Sequence, residues 1–288
     1  MIAWPESLVE ELAFKRVIIF IGSGISASSK NNDGSSPPTW KSLLNSAKDR
    51  FLRNEEDRTI VNSLIDKELL LDAAEIIFDD VDQPERRRFF SSIFAEPRFN
   101  VSEYHSVIQK INPKIAITTN YDQLYEQQCG ALVAGQGYAV RKYTSKKLLN
   151  DVRSKDNLII KAHGCITDTE DLILTRSDYF KIKRDHSHFY NVLDSLLTVN
   201  TVLFLGCSMG DPDIQLILEN SNISAESDHP HYAVLPSGMH PALKRAMENA
   251  YNIKVLEYEL DETDGHSNLL ESLASLKDNM DSLIQTLR

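Results

Sequence analysis

Residues 16–21, Arg-Val-Ile-Ile-Phe-Ile, form a β-branched run that enters Gly22-Ser23-Gly24, the pattern of a buried parallel strand turning into a helix. A polar Gly/Ser/Pro-rich loop follows at 31–38, loose enough to act as a lid over whatever the glycine turn holds. From Trp40 to Ile111 the apolar spacing is helical: Trp40, Leu43, Leu44 and Ala47, then Leu69 to Ile77, then Phe89, Phe90, Ile93 and Phe94. A simple strand–helix–strand unit needs only about 30 residues. A helical insertion subdomain is therefore expected at about 38–112.

Strand periodicity resumes at 115–119 and recurs at 158–161, 201–205, 231–235 and 253–258. Helical stretches at 191–197, 212–220 and 241–251 alternate with the later strands, and Pro212 and Pro241 suit first-turn positions. The alternation predicts an α/β fold, a doubly wound parallel Rossmann-like sheet spanning 1–288 as one domain with its helical insertion. A C-terminal helix at about 267–288 sets Leu269, Leu273, Leu276, Met280, Leu283 and Leu287 at alternating spacings of four and three. Such a seam serves packing on its own domain or self-association.

The chain has 288 residues, 42% apolar and 25% charged, enough to bury a substantial core. A formal charge of −11 makes the average surface repel polyanions, and the basic runs at 86–88 and at Lys181, Lys183 and Arg184 are short. Direct nucleic-acid binding is not expected. The longest early apolar run, 17–21, falls far below the roughly 18 residues of a membrane span. Neither a signal peptide nor an anchor is expected, and the chain reads as cytoplasmic. The three cysteines, Cys129, Cys165 and Cys207, include no CxxC pair, so neither a disulfide framework nor a four-thiolate zinc site is expected. Histidines at 186, 188, 229 and 231 lack partners at metal spacing, and no metal site is expected.

Four blocks carry candidate chemistry. Gly22-Ser23-Gly24-Ile25-Ser26-Ala27 matches GxGxx[GA] after a strand, which lets a pyrophosphate approach backbone N–H groups; a ligand-free tight turn has the same pattern. A dehydrogenase would place an acidic residue about 20 positions later, at the end of a second strand. That region here reads as helix. Thr118-Thr119-Asn120-Tyr121-Asp122 ends the second strand, where a carboxamide and a carboxylate can bond sugar hydroxyls, an amide or an attacking water, or else cap a helix. His163-Gly164 ends another strand, and an imidazole there, with an unperturbed pKa of about 6.5, suits a general base, although a lone histidine is more often structural. Gly206-Cys207-Ser208 ends the next, with Gly206 permitting close backbone approach and Ser208 able to bond ribose or phosphate; Asp211 either belongs to this turn or caps the helix at Pro212.

In this order and spacing the blocks resemble the sirtuin superfamily, and more closely its divergent bacterial branch of NAD-cleaving defence proteins. Sirtuins carry a Gly-Ala-Gly-Ile-Ser turn, similar to 22–26; a Thr-Gln-Asn-Ile-Asp block, similar to 118–122; a His-Gly, similar to 163–164; and a Gly-Thr/Ser-Ser turn, similar to 206–208. The divergent branch has a longer Gly-x-Ser-x-x-Asp-Pro form, matched by Gly206, Ser208, Asp211 and Pro212. The two CxxC pairs of deacylating sirtuins and their Pro-Asp-Phe-Arg segment are missing, which implies no zinc and argues against acyl-lysine chemistry.

The resemblance implies an NAD+ hydrolase that cleaves the nicotinamide–ribose bond to give nicotinamide and ADP-ribose, depleting NAD in anti-phage defence. It implies Asn120 and His163 as catalytic residues. Gly22, Ser23, Gly24, Ser26, Thr119, Asp122, Gly206 and Ser208 are implied as NAD-binding. It further implies a homo-oligomer paired with a HerA-type hexameric ATPase; no P-loop occurs in this chain. Two alternatives stand beside it: a non-catalytic NAD or ADP-ribose-binding regulatory subunit, and a zinc-free deacylase or ADP-ribosyltransferase.

Overall fold

In a computed structural model of the chain, residues 1–131, 137–209, 218, 229–261 and 265–287 are described. A short helix α1 (Glu6–Ala13) precedes β1 (Val17–Ile21), whose five residues are all buried. The turn after it winds into a single helical turn, α2 (Ser23–Ser26). The predicted lid, 31–38, is an ordered turn in which Asn31 Oδ1 accepts from the N–H groups of Asp33 and Ser35.

Next come α3 (Trp40–Phe51), α4 (Glu55–Asp66), α5 (Leu70–Phe78), α6 (Gln83–Phe90), a π-helical turn (Ser91–Ala95) and α7 (Glu103–Ile111). Side chains cap three of these starts: Thr39 accepts from the N–H of Ser42, Asn54 from that of Glu56, and Asp82 from that of Glu85. Helices α3 to α6 enclose their own core, with Leu44, Val61, Ile77 and Phe90 at its centre and Tyr121, Leu172 and Leu174 reaching in from the sheet side. The stretch is helical throughout, as the periodicity predicts, but its last helix, α7, packs on the sheet through Ile108 and Ile111.

Six further strands complete the sheet: β2 (Ile115–Thr118), β3 (Tyr138–Lys142), β4 (Asn157–Lys161), β5 (Thr201–Leu205), β6 (His231–Pro236) and β7 (Ile253–Tyr258). All pairings are parallel, in the order β3-β4-β2-β1-β5-β6-β7. Between these strands lie α8 (Leu124–Gln128), α9 (Leu148–Val152), α10 (Arg176–Asp185) and α11 (Ser187–Val199). Alternate residues of one strand serve opposite cores: Ile18 and Phe20 join Leu193 and Leu197 of α11, whereas Ile19 and Ile21 join Leu8 of α1 and Ile108 of α7. This is the doubly wound α/β architecture.

Strand β3 escapes the hydrophobic pattern because it is an edge strand whose five residues are all only partly buried. The predicted helix at 212–220, with Asp211 and Pro212, lies outside the described residues. The C-terminal helix Ser267–Thr286 buries Leu269, Leu273, Leu276 and Met280 against its own domain. Ser272 on that helix accepts from the N–H of Ile2, 3.0 Å, and its carbonyl from the Trp4 indole, 2.8 Å. Among the described residues no helix is long and apolar enough to cross a membrane.

Candidate active site

The chain leaves β1 towards β2 on one side and returns to β5 on the other, so the strand order reverses beside β1. Open parallel sheets place ligands at such a point, beyond the carboxyl ends of the strands.

The two glycine turns there are built into each other. Gly22 donates to the Leu205 carbonyl and Gly24 to the Gly206 carbonyl, each at 2.9 Å. A Cβ on Gly22 would lie 2.4 Å from the Gly206 oxygen, and one on Gly206, at φ +67°, 2.6 Å from the Ile25 nitrogen. Close backbone packing alone thus requires these glycines.

At the end of β2, the Thr118 hydroxyl donates to the Ile21 carbonyl, 2.8 Å, and accepts from the N–H of Asn120, 3.0 Å. The Asn120 amide nitrogen donates to the Gly22 carbonyl, 3.0 Å, and to the Ser26 hydroxyl, 2.9 Å. A backbone carbonyl only accepts, so this amide has one orientation, with both N–H bonds spent on the protein and Oδ1 left to meet a ligand. Asp122 Oδ1 accepts from the N–H of Leu124, 3.0 Å, a local turn bond just before α8, whose N-cap position is Gln123.

Beneath Asp122 lies an ion pair: Lys161 Nζ sits 2.7 Å from Glu126 Oε1, and the same ammonium donates to the Asp122 carbonyl. Burial pushes the Glu126 carboxyl up, against the pull of Lys161. Burial alone would lower the Lys161 ammonium, but Glu126, with Asp122 behind it, holds it raised. His105 is buried on the first turn of α7, and desolvation pushes it down to about 4, opposed by the charge of Asp122. Its Nδ1 accepts from the N–H of Ser102, 3.2 Å.

Past the end of β4, His163 is fixed by the Ile173 N–H bonding its carbonyl, 3.1 Å, and by Gly164, whose φ of +85° turns the chain away. Its ring meets the Tyr179 ring edge to face, centroids 5.3 Å apart, with the Tyr179 hydroxyl 3.3 Å from Nε2.

These residues surround one cleft of about 740 Å³, part of it open to solvent. Asn120, His163, Asp122, Thr119, Gly22, Ser23, Ser26, Gly206 and Ser208 all line it, whereas Gly24 lies behind the wall, against Gly206. The periodicity did not point to the apolar wall that the insertion side supplies, with Pro38, Trp40, Leu43 and Phe94. It did not point to Tyr179 either. The pair Thr175 and Asp178, a capping box in the sequence, could have located the start of α10 and so placed Tyr179 on a helix. Among the described residues no group of three or more His, Cys, Asp or Glu is gathered to hold a metal ion.

The chain from 114 to 256, which carries Asn120, His163 and Gly206, matches the family profile described as SIR2-like domain. The glycine turn at 22–26 lies outside the matched span yet packs directly on it. NAD(+) hydrolase ThsA of Enterococcus faecium is 33% identical over 138 residues, 47% of this chain and 28% of that protein. NAD(+) hydrolase ThsA of Acinetobacter baumannii (strain 532279) is 28% identical over 235 residues, 80% of this chain and 44% of that protein. Defense-associated sirtuin 2 of Bacillus subtilis is 26% identical over 117 residues, 40% of this chain and 11% of that protein. The chain spans less than half the length of these curated relatives. Among solved structures, cytosolic 5'-nucleotidase IIIB bound to cytidine aligns over 96% of this chain and 91% of its own at 13% identity and a TM-score of 0.41, too loose a likeness to bear on function.

Proposed function

We propose that the chain is an NAD+ hydrolase that breaks the bond between nicotinamide and C1′ of the ribose. The observation that carries this reading is the convergence of Asn120 Oδ1 and the His163 imidazole on one cleft whose floor is the packed glycine turns. The ThsA relatives, named NAD(+) hydrolases, support it.

Nicotinamide leaves with the bonding electron pair, which neutralises its ring nitrogen, and ribose C1′ gains oxocarbenium character. Water forms the new bond to C1′, and its proton passes to His163 as general base and then to solvent. Asn120 Oδ1 accepts from a ribose hydroxyl or from the water, and lies where developing positive charge is stabilised. Asp122 holds the nicotinamide amide. Ser26, whose oxygen already accepts from Asn120, has its own proton to give to a phosphate, beside Ser23 and Gly22, while Gly24, behind the wall with its N–H on the Gly206 carbonyl, shapes the turn without touching the ligand. Ser208 serves the adenosine side, with Thr119 and Gly206 lining the same cleft.

The same reading makes the chain a zinc-free, cytoplasmic, NAD-depleting subunit of anti-phage defence, as a homo-oligomer with a HerA-type ATPase. The resemblance of its four sequence blocks supports that assembly.

Incubating the purified chain with NAD+, alone and with a candidate ATPase, and quantifying nicotinamide and ADP-ribose tests the activity. Release abolished by Asn120→Ala and by His163→Ala is expected. Release unaffected by either overturns the site, and NAD+ binding without release in any assembly overturns the hydrolase in favour of a binding subunit.

A further inference from the structure

We propose that Tyr179 is the positioning residue for His163, and that the helical insertion sets its place through α10. The consequence for turnover rests on the hydrolase reading above; the contact itself does not.

An imidazole that exchanges a proton with substrate must present one nitrogen in one plane, and a partner on the other nitrogen is the usual way to fix both. Tyr179 supplies that partner. Its hydroxyl lies 3.3 Å from Nε2, both side chains are buried, and the rings meet at 78°, so the tyrosine constrains rotation of the imidazole.

Tyr179 is itself held from outside the sheet. The three residues before it are each gripped by the insertion. The Arg176 guanidinium makes a two-pronged contact with Asp72 of α5, 2.8 Å on each prong. The Ser177 N–H and hydroxyl bond the Glu75 carboxylate of the same helix at 2.9 and 2.6 Å. Asp178 faces Arg86 of α6 at 3.6 Å while also capping α10. Consecutive ties of this kind fix the rotation of the helix about its axis, and with it the direction of the Tyr179 side chain. The insertion thus does two things for the cleft: it walls one side and it aims the tyrosine that aims the histidine.

The test uses the full chain with 15N-labelled histidine, His163→Ala assigning the ring signals. Without substrate, Tyr179→Phe is expected to move the His163 ring nitrogens towards the averaged values of a freely exchanging imidazole, leaving the other histidines in place. In turnover the same variant is expected to lower kcat about tenfold, as misplacement of a reacting group does, with KM for NAD+ changed by less than about twofold. Asp72→Ala, on the surface, is expected to move the same nitrogens in the same direction and to lower kcat less, and it serves if Tyr179→Phe fails to fold. His163 nitrogens unchanged in a folded Tyr179→Phe would overturn the proposal. A wild-type chain that releases no nicotinamide would defeat the hydrolase reading alone, because the nitrogen shifts report on Tyr179 without turnover.

Discussion

Lys161 and Glu126 form a salt bridge of 2.7 Å with both side chains only 1% exposed, directly under the loop that carries Asp122. Two charges so far from water are held by each other, and removing one strands its partner. Lys161→Met is expected to cost about 3–5 kcal/mol in urea unfolding, whereas Lys161→Met with Glu126→Leu should recover more than half of that. The double variant still lacks the donor to the Asp122 carbonyl, so its affinity for NAD+ should remain below wild type even where stability returns.

The interlocked glycines make a second prediction. Gly22→Ala and Gly206→Ala each force a Cβ into backbone, and Gly206 adds the strain of its φ of +67°. Each is expected to lower stability by about 1–3 kcal/mol and to abolish NAD+ binding together with it. Ser208→Ala, on the cleft wall, should weaken binding with no change in the unfolding midpoint.

Asn120→Asp separates shape from hydrogen bonding. The carboxylate is nearly isosteric but turns an oxygen on the Gly22 carbonyl and the Ser26 hydroxyl in place of the amide donor. Loss of about 1–3 kcal/mol of stability is expected in urea melts. Nicotinamide release should fall by at least about a hundredfold, more than Asn120→Ser, which leaves no buried negative charge.

Acid stability follows from two buried histidines. Desolvation pushes both His105 and His231 down to about 4. Because the folded value is depressed, their contribution is complete above the unfolded value near 6.5 and is lost as pH falls from there to about 4. Each accounts for roughly 3 kcal/mol across that window. Unfolding free energies measured from pH 7 to 4 should therefore decline before the carboxylates titrate, and His231→Gln should flatten the slope.

What the sequence disclosed and what it hid divide along physical lines. Strands β1, β2, β4 and β5 are buried on both faces and read as unbroken apolar runs, so their ends, and with them Asn120, His163 and Gly206, were legible. Strand β3 was not, because an edge strand carrying Arg141 and Lys142 satisfies its charges with Asp151 and Asp168 and buries no continuous run. The glycine motif was legible as a turn, but its requirement for packing against Gly206 links positions far apart in the chain. Tyr179 was hidden for the same reason. Its partner His163 is fixed by the fold and not by spacing, and the neighbouring Lys181, Lys183 and Arg184 read only as a solvated basic run.

Helices α3 to α6 enclose an apolar core distinct from the two that flank the sheet, with Tyr121, Leu172 and Leu174 entering it from the sheet side and Trp40 of α3 and Leu71 of α5 packing on the sheet's own core. A region with its own core opens as a cooperative unit, with a free energy below that of global unfolding. Such an excursion would strip away one wall of the cleft and release the grip on α10 while leaving the strand ends and their hydrogen bonds intact. The sheet can therefore outlast its own cleft, so that warming would extinguish turnover before it melts β1, with amides of α5 exchanging deuterium ahead of those of Ile19 and Leu203.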